Sequence, residues 1–537
     1  MHIDLQSTIW DYIIIGTGIG GSTIGYSLAQ AGKKILYIEK GYSELSLKGK
    51  FPEPYLSSFD RLSSKDKELL KRAGRYTEEL QDISIANHKH SFIPLLGQGA
   101  GGSSLLYGAA LERFFPQDFQ ATTFFANMKD SSTVDWPISY QDLETYYKKA
   151  EKIFRVYGGV DPLRSESQNQ ELQTVEYTPS GQRLAELWAS KNFHPYRLPV
   201  GHLPHSTSEC PGCQAIVCLC NEKSDAAHCC LQPSLKMENV HLIDNCEVLK
   251  LNSDKTLVNE VLAKKNGELL KFKARIIILA AGALNTPALL FKSRSRNHPE
   301  GLGNSSGLVG KNLSRHFMDL YMIRMDPLEG VNYYEKELAL NDFYFYRGEK
   351  YGTLQSLGNP PSIETALYEM YFEFYKSSSF YKKAYYNLVS NFGRTIIKNL
   401  FKNNLCLASI MDDVSYHDNC VTLSSDESTI QINYKIRSEG NRRLNEFRKL
   451  ILKSLTPMSV QLHKQGENNQ RLAHASGTCR MGINRNKSVV DKNNRVHDLE
   501  NLFILDSSFF PSGAGINPAL TIAANALSVG DFLLKYS

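Results

Sequence analysis

Trp10-Asp11-Tyr12-Ile13-Ile14-Ile15 runs without a break into Gly16-Thr17-Gly18-Ile19-Gly20-Gly21. The first six residues are almost wholly apolar, which is how a strand buried in a parallel sheet reads. Ser22 to Gln30 then reads as a helix ended by Gly32, and Lys34 to Ile38 as a second strand closed by Glu39. Gly16, Gly18 and Gly21 thus lie between a strand and a helix at the spacing of a dinucleotide-binding turn. The first glycine permits the tight turn, the second lets the backbone approach a pyrophosphate, and the third lets helix and strand pack closely. The diphosphate would lie at the helix N-terminus, where free N–H groups and the helix dipole favour negative charge. Glu39 is placed to accept hydrogen bonds from a ribose diol. An acid at that point disfavours a 2′-phosphate, so NADP is not expected, while NAD and FAD both remain open.

The same grammar recurs along the chain. Arg275 to Ala280 reads as an apolar strand entering Ala281-Gly282-Ala283 and a helix with Pro287 in its first turns. Leu502 to Leu505 reads as a strand, Ser512 to Ile516 as a glycine loop, and Pro518 to Leu534 as a helix. Val240–Ile243 and Val248–Leu251 read as strands, and Asp135 to Ser139 as a turn into a helix over 140–156. Residues 42–95 are polar, mixed and not assignable by pattern. Strand–glycine–helix units at both ends and in the middle predict one α/β nucleotide-binding domain assembled from distant segments, with a second domain inserted.

Composition narrows the class. At roughly 100–200 residues per domain, the chain holds two to four domain-sized units. Its 42% hydrophobic and 22% charged residues are those of a folded soluble protein and exclude a disordered chain or a collagen. A net charge of +5 over 537 residues is too weak to argue for nucleic acid. No apolar run is long enough to span a membrane, and the opening residues lack the pattern of a secretory signal. Ten cysteines are too few for a disulfide scaffold, so the cytoplasm is the expected compartment.

A second glycine-rich stretch separates the two cofactors. Gly97-Gln98-Gly99-Ala100-Gly101-Gly102-Ser103-Ser104-Leu105-Leu106-Tyr107-Gly108 resembles a signature of the glucose–methanol–choline (GMC) oxidoreductase family, which binds FAD. Gln98, Ala100 and Tyr107 stand where the family has Lys, Leu and Asn. The run Gly282 to Ser293 is similar to the family's second signature. His474-Ala-Ser-Gly477-Thr-Cys-Arg-Met-Gly482, Asn501 to Asp506 and Gly515-Ile-Asn517-Pro518 match its C-terminal block in order and spacing. Trp136-Pro137-Ile138 and Gly301 to Asn312 look most like the bacterial sugar and polyol dehydrogenase branch.

The resemblance implies a Rossmann-like FAD domain over 1–134, 238–325 and 470–537. It also implies an α+β substrate domain with an antiparallel sheet over 135–237 and 326–469. Cofactor contacts are expected from Gly16, Gly18, Gly21, Glu39, Gly101, Gly102, Ser103, Ser104, Val248, Ala281, Gly282, Asp506, Asn517 and Pro518. Leu105, Leu106 and Tyr107 lack the nitrogen through which covalent members attach the flavin, so FAD is expected to be non-covalent.

The implied activity is oxidation of an alcohol to an aldehyde or ketone. That requires a hydride acceptor and a base poised near neutral pH, and histidine is the usual base. His474 matches the family's catalytic histidine and Asn517 the partner that holds the alcohol oxygen. His316 and His497 read as structural. Dehydrogenase is preferred to oxidase. A non-redox lyase on the same scaffold and a non-catalytic flavin-binding protein are the rivals. The partners expected are a small alcohol and an electron acceptor, with no nucleic acid.

Two features fall outside this scheme. Cys210, Cys213, Cys218 and Cys220 could supply thiolates to a cluster, but their spacing differs from that of iron–sulfur relatives. Buried or redox-paired thiols, with no metal, are favoured. Tyr368 to Tyr386 concentrate aromatic side chains beside Lys376, Lys382 and Lys383. Substrate-domain core or lid is the favoured reading, and an apolar mouth docking on a membrane the disfavoured one.

Overall fold

The computed structural model describes residues 4–44, 64–85, 88–165, 172–202, 217–218, 222–325, 335–358 and 404–536. Strand β1, Ile9–Ile15, is buried along most of its length, as its apolar run requires. It lies at the centre of a seven-stranded sheet, parallel to Ile35–Ile38 on one side and to Glu268–Leu279 on the other. Val240–Ile243 extends the parallel sheet beyond Ile35–Ile38, and Leu502–Ile504 pairs parallel with Glu268–Leu279. The sheet is therefore built from segments almost 500 residues apart in sequence, because Ile9 and Ile504 share it.

Glu268–Leu279 does two jobs. Its first residues pair antiparallel with Val258–Lys265, and its last pair parallel with β1. Burial follows the change: the hairpin half is largely open to solvent, while Ile276 to Leu279 are buried. That explains why the apolar pattern shows a strand only from residue 275. The strand begins seven residues earlier, where polar residues alternate.

Helix α1, Ile19–Gln30, packs on the terminal helix Ala519–Tyr536, which in turn packs on Tyr140–Ile153. Ser139 starts Tyr140–Ile153 with a reciprocal capping box to Asp142. That local device is why the helix start is readable. Tyr147 Oη and Thr521 Oγ1 bond at 2.8 Å between the two helices.

A second sheet has six strands in the order Val460–His463, Phe317–Arg324, Asn404–Met411, Gly352–Gly358, Leu338–Leu340 and Tyr196–Arg197. All its pairings are antiparallel. Ser438–Leu455 covers it, burying Leu444, Phe447, Ile451 and Leu455 against Phe317, Tyr321 and Leu407. A third, four-stranded sheet joins Leu80–Ile85 in parallel to Ile430–Asn433. The fold is thus a mixed α/β Rossmann-type unit with a sheet-rich second part.

Gly20 sets how tightly these pieces close. A Cβ placed on it would stand 1.6 Å from the carbonyl oxygen of Leu505, just past Leu502–Ile504. At Gly18, by contrast, a Cβ would meet nothing within 4 Å, and φ is −66°. Gly20→Ala is therefore expected to cost about 3 kcal/mol, the upper range for overpacking. Gly18→Ala should cost no more than about 1 kcal/mol, through its poorer N-cap alone. Urea unfolding of the two variants measures the contrast, and equal midpoints would contradict the packing argument.

Candidate active site

The chain turns out of β1 at Gly16, whose φ of 95° is left-handed and whose Cβ would meet Ala280 O at 2.5 Å. Helix α1 starts behind Gly18 with no side-chain cap. The first N–H groups of a helix have no partner within it. With open space in front of Gly18, they form a cradle for an anion. Gly21 packs its backbone on Gly16. Gly102 walls the cradle: its Cβ would lie 2.9 Å from Gly18 Cα. The residues expected from the two glycine loops are therefore together.

Neighbouring side chains brace that frame. Glu39 is buried, and its carboxylate accepts from Thr17 N at 3.0 Å, Thr17 Oγ1 at 2.7 Å and Gly41 N at 2.8 Å. Burial pushes its pKa up, and these donors oppose that. Ser104 Oγ donates to Gly101 O at 2.6 Å and accepts from Ala226 N at 2.9 Å, whereas Ser103 is exposed. Asp506 accepts from Gly282 N at 2.9 Å and Thr286 Oγ1 at 2.6 Å, an acid at the start of the helix Gly282–Lys292. Ala281 is the N-cap of that helix. Val248 lies on Cys246–Ser253, whose first residue bonds to Glu39 O at 2.9 Å.

The histidines are arranged by backbone pairing. Residues 314 and 476 bridge in antiparallel fashion, and His316 N donates to Ala473 O at 2.9 Å. This brings His316 Nδ1 to 2.8 Å from His474 Nδ1. His316 Nε2 lies 2.6 Å from Ala514 O. A carbonyl only accepts, so His316 Nε2 carries its hydrogen. In a neutral ring Nδ1 is then the acceptor, and His474 Nδ1 must donate to it. His474 Nε2 is left as an unprotonated lone pair. The two rings meet edge to face at 4.9 Å. His474 holds a left-handed φ of 57°, a conformation that costs about 1–3 kcal/mol and clusters at functional sites.

Electrostatics keep both rings neutral. Burial lowers His474 well below the ordinary value, and its neighbours His316 and Lys336 push it in the same direction. Burial lowers His316 to about 4, with Lys350 adding to the effect and the Ala514 bond opposing it. His474 still keeps some accessible surface.

Asn517 stands at the end of the same loop. Its Oδ1 accepts from Gln355 Nε2 at 3.2 Å, which leaves Nδ2 to donate. Gln355 belongs to the second sheet, so that sheet orients a residue of the C-terminal block. Pro518 sits one residue outside the terminal helix, where its carbonyl accepts from Ile522 N at 3.0 Å. It is thus the N-cap rather than the first helical residue.

The loop 513–515 is held by a cluster that sequence pattern does not reveal. Buried Lys350 lies 2.8 Å from Asp118 and 2.5 Å from Asp412. Burial disfavours its charge, but the two carboxylates outweigh this and hold its pKa above the ordinary value. Lys350 Nζ donates to Gly513 O at 3.3 Å. Tyr344 Oη accepts from Gly515 N at 2.6 Å and donates to Asp118 at 2.9 Å. These residues come from three distant segments with no motif, and only their coming together gives them meaning.

Tyr107 Oη donates to Ser224 O, and Leu105 and Leu106 are buried with Val217 and Ala227. Cys210, Cys213 and Cys220, and the aromatic run Tyr368–Tyr386, lie outside the described residues. Cys218 is buried. Among the described residues there is no group of three or more metal-ligating side chains, and no helix is long and apolar enough to cross a membrane.

Comparison with known proteins agrees with this arrangement. Residues 10–318 match the N-terminal and residues 415–526 the C-terminal model of the GMC oxidoreductases. The chain is 25% identical to 2-methyl-1,2-propanediol dehydrogenase of Mycolicibacterium austroafricanum, over 98% of its own length and 95% of that protein. It is 26% identical to 6'''-hydroxyparomomycin C oxidase of Streptomyces lividus, over 97% and 90% of the two chains. Pyridoxine 4-oxidase from Mesorbium loti superposes with a TM-score of 0.63 at 18% identity, covering 98% of this chain and 100% of that one. At that identity the likeness is one of fold.

Both interior histidines should stay neutral at pH 6, where an ordinary histidine is mostly protonated. Their folded pKa values lie below the unfolded 6.5, so the unfolded chain binds protons first. The two rings therefore weaken the folded state as pH falls below about 6.5, and have no such effect above it. A ¹⁵N-histidine NMR titration should show two ring signals unchanged between pH 7 and 5. Titration of both near 6.5 would contradict the burial argument.

Proposed function

The chain belongs to the GMC oxidoreductase family, and on that premise we propose that it is an FAD-dependent dehydrogenase oxidising an alcohol to an aldehyde or ketone, with His474 as the base. The observation that carries the reading is the free lone pair on His474 Nε2, left by the hydrogen-bond chain from Ala514 through His316. FAD, when bound, accepts the hydride from the alcohol carbon. His474 Nε2 takes the hydroxyl proton. Asn517 Nδ2 donates to the alcohol oxygen and fixes the carbon's orientation, while Gln355 holds Asn517 by its other end. His316 is a positioning residue: it sets which nitrogen of His474 is free.

The cofactor is held by Gly16, Gly18 and Gly21 at its diphosphate, by Glu39 at its ribose, and by the Gly101–Ser104 and Ala281–Gly282 turns with Asp506. Residues 1–134, 238–325 and 470–537 form its domain, and 135–237 with 326–469 the substrate domain. The relatives include a dehydrogenase and an oxidase by name. Dehydrogenase is favoured by the residues around Trp136–Ile138 and Gly301–Asn312, which look like the sugar and polyol dehydrogenase branch. Binding is non-covalent because Leu105, Leu106 and Tyr107 offer no ring nitrogen. Acid precipitation should leave all flavin in the supernatant; yellow colour in the pellet would contradict this.

An anaerobic alcohol screen that follows flavin absorbance tests the activity. Polyols or simple alcohols should bleach the flavin, and an artificial quinone-type acceptor should restore it faster than air. His474→Asn suits the left-handed backbone and should keep flavin while slowing reduction by roughly 10²–10⁴-fold. Asn517→Ala should also slow it, by loss of one hydrogen bond. Reduction should hold its rate from pH 7 into mild acid, because the pKa of His474 is depressed, and fall only at lower pH. Wild-type kinetics in His474→Asn would place the base elsewhere.

A further inference from the structure

Lys336 stands beside the site and has no assigned task. Only 5% of its surface is exposed. Among the described residues its ammonium has neither a hydrogen-bond partner nor a carboxylate. The acids on either side of it in sequence are committed to another cation. Glu335 and Glu337 bind Arg197 at 3.1 and 2.7 Å, and Glu337 also accepts from Thr178. Lys336 itself lies at a bend two residues before the strand Leu338–Leu340. A Cβ on Gly108, the residue after Tyr107, would lie 3.1 Å from Lys336 Nζ. The ammonium thus reaches the end of the second glycine loop, and its charge acts on His474.

A buried cation without a counter-ion is costly and is usually paired. Burial lowers Lys336 to about 8, so it remains mainly charged at neutral pH. It comes from the segment entering Leu338–Leu340, in the sheet that also carries Gln355. Gln355 of that sheet holds Asn517.

We propose that Lys336 is a specificity-determining residue that binds a carboxylate carried by the alcohol substrate, so that the substrate class is hydroxy acids. This rests on the alcohol-oxidising reading and narrows it. The hydroxyl sits between His474 and Asn517, and the carboxylate a few bonds away at Lys336. The hydroxyl carbon loses a hydride to FAD and the hydroxyl a proton to His474, giving an oxo acid. The same charge works against substrates carrying an ammonium near the hydroxyl.

The test uses the flavin-loaded enzyme and alcohols matched in length: 4-hydroxybutyrate, 1,4-butanediol and 4-amino-1-butanol, with glycolate, ethylene glycol and ethanolamine as a shorter set. Anaerobic flavin reduction by wild type should favour the hydroxy acid over the diol by about 10–100-fold in kcat/KM, the range for a charge-assisted hydrogen bond. Lys336→Met should erase that preference, Lys336→Arg keep part of it, and Lys336→Glu shift it toward the amino alcohol. Butyrate, which has no hydroxyl to oxidise, should bind wild type and lose about 10–100-fold in affinity on Lys336→Met. Flavin content and flavin reduction potential should stay unchanged in the variants.

Equal butyrate affinity for wild type and Lys336→Met, or a wild-type preference for diols or amino alcohols, would overturn the proposal. A shifted flavin potential with the substrate preference intact would do so as well, and would turn Lys336 toward the flavin. If no alcohol of any charge reduces the flavin, the alcohol-oxidising reading fails instead, and the butyrate measurement still decides the role of Lys336.

Discussion

The carbonyl oxygen of Ala514 can only accept a hydrogen bond, and it accepts from His316 Nε2 at 2.6 Å. The tautomers of both histidines follow from that restriction. It fixes the tautomer of His316, which fixes that of His474, which leaves the lone pair on His474 Nε2. The effect depends on Ala514 staying in place. Gly513 and Gly515 flank it and are tied to Lys350 and Tyr344, which share Asp118. A fully buried lysine with two carboxylates is a costly arrangement unless each charge is satisfied. Here it anchors the backbone on which the histidine chain hangs.

The cofactor side rests on a steric constraint rather than on charge. Strand ends and loops that are remote in sequence meet at distances that only backbone allows. Gly20 faces Leu505 O, Gly16 faces Ala280 O, and Gly102 faces Gly18. These contacts bring the beginning, middle and end of the chain to one point. Gly515 does the same between the two sheets: its Cβ would lie 2.4 Å from Gly352 Cα. The loop 513–515 therefore sits where the first unit and the second sheet touch.

Sequence pattern reveals those parts of this design whose cause is local. The turn at Gly16–Gly21, the helix after Ser139 and the terminal helix are written in neighbouring residues, and the structure has all three within a few residues of expectation. Leu80–Ile85 was not legible, because its residues are polar and mixed; it pairs with the neighbouring His88–Phe92 on one side and with Ile430–Asn433, about 350 residues away, on the other. His316 read as a structural histidine; its contact with His474 depends on the bridge between residues 314 and 476. Lys350, Asp118 and Asp412 have no motif at all. Nor does the sequence reveal that His474 is so buried that its pKa lies well below 6.5. Burial is a property of the assembled site.

Two protons decide which nitrogen of His474 is free, and neutron diffraction from deuterium-exchanged crystals at neutral pH observes them directly. The hydrogen-bond chain predicts a deuteron on His316 Nε2, a deuteron on His474 Nδ1 pointing at His316, and none on His474 Nε2. A deuteron on His474 Nε2 would mean that the ring cannot accept a proton there, and would contradict the tautomers set by the Ala514 bond.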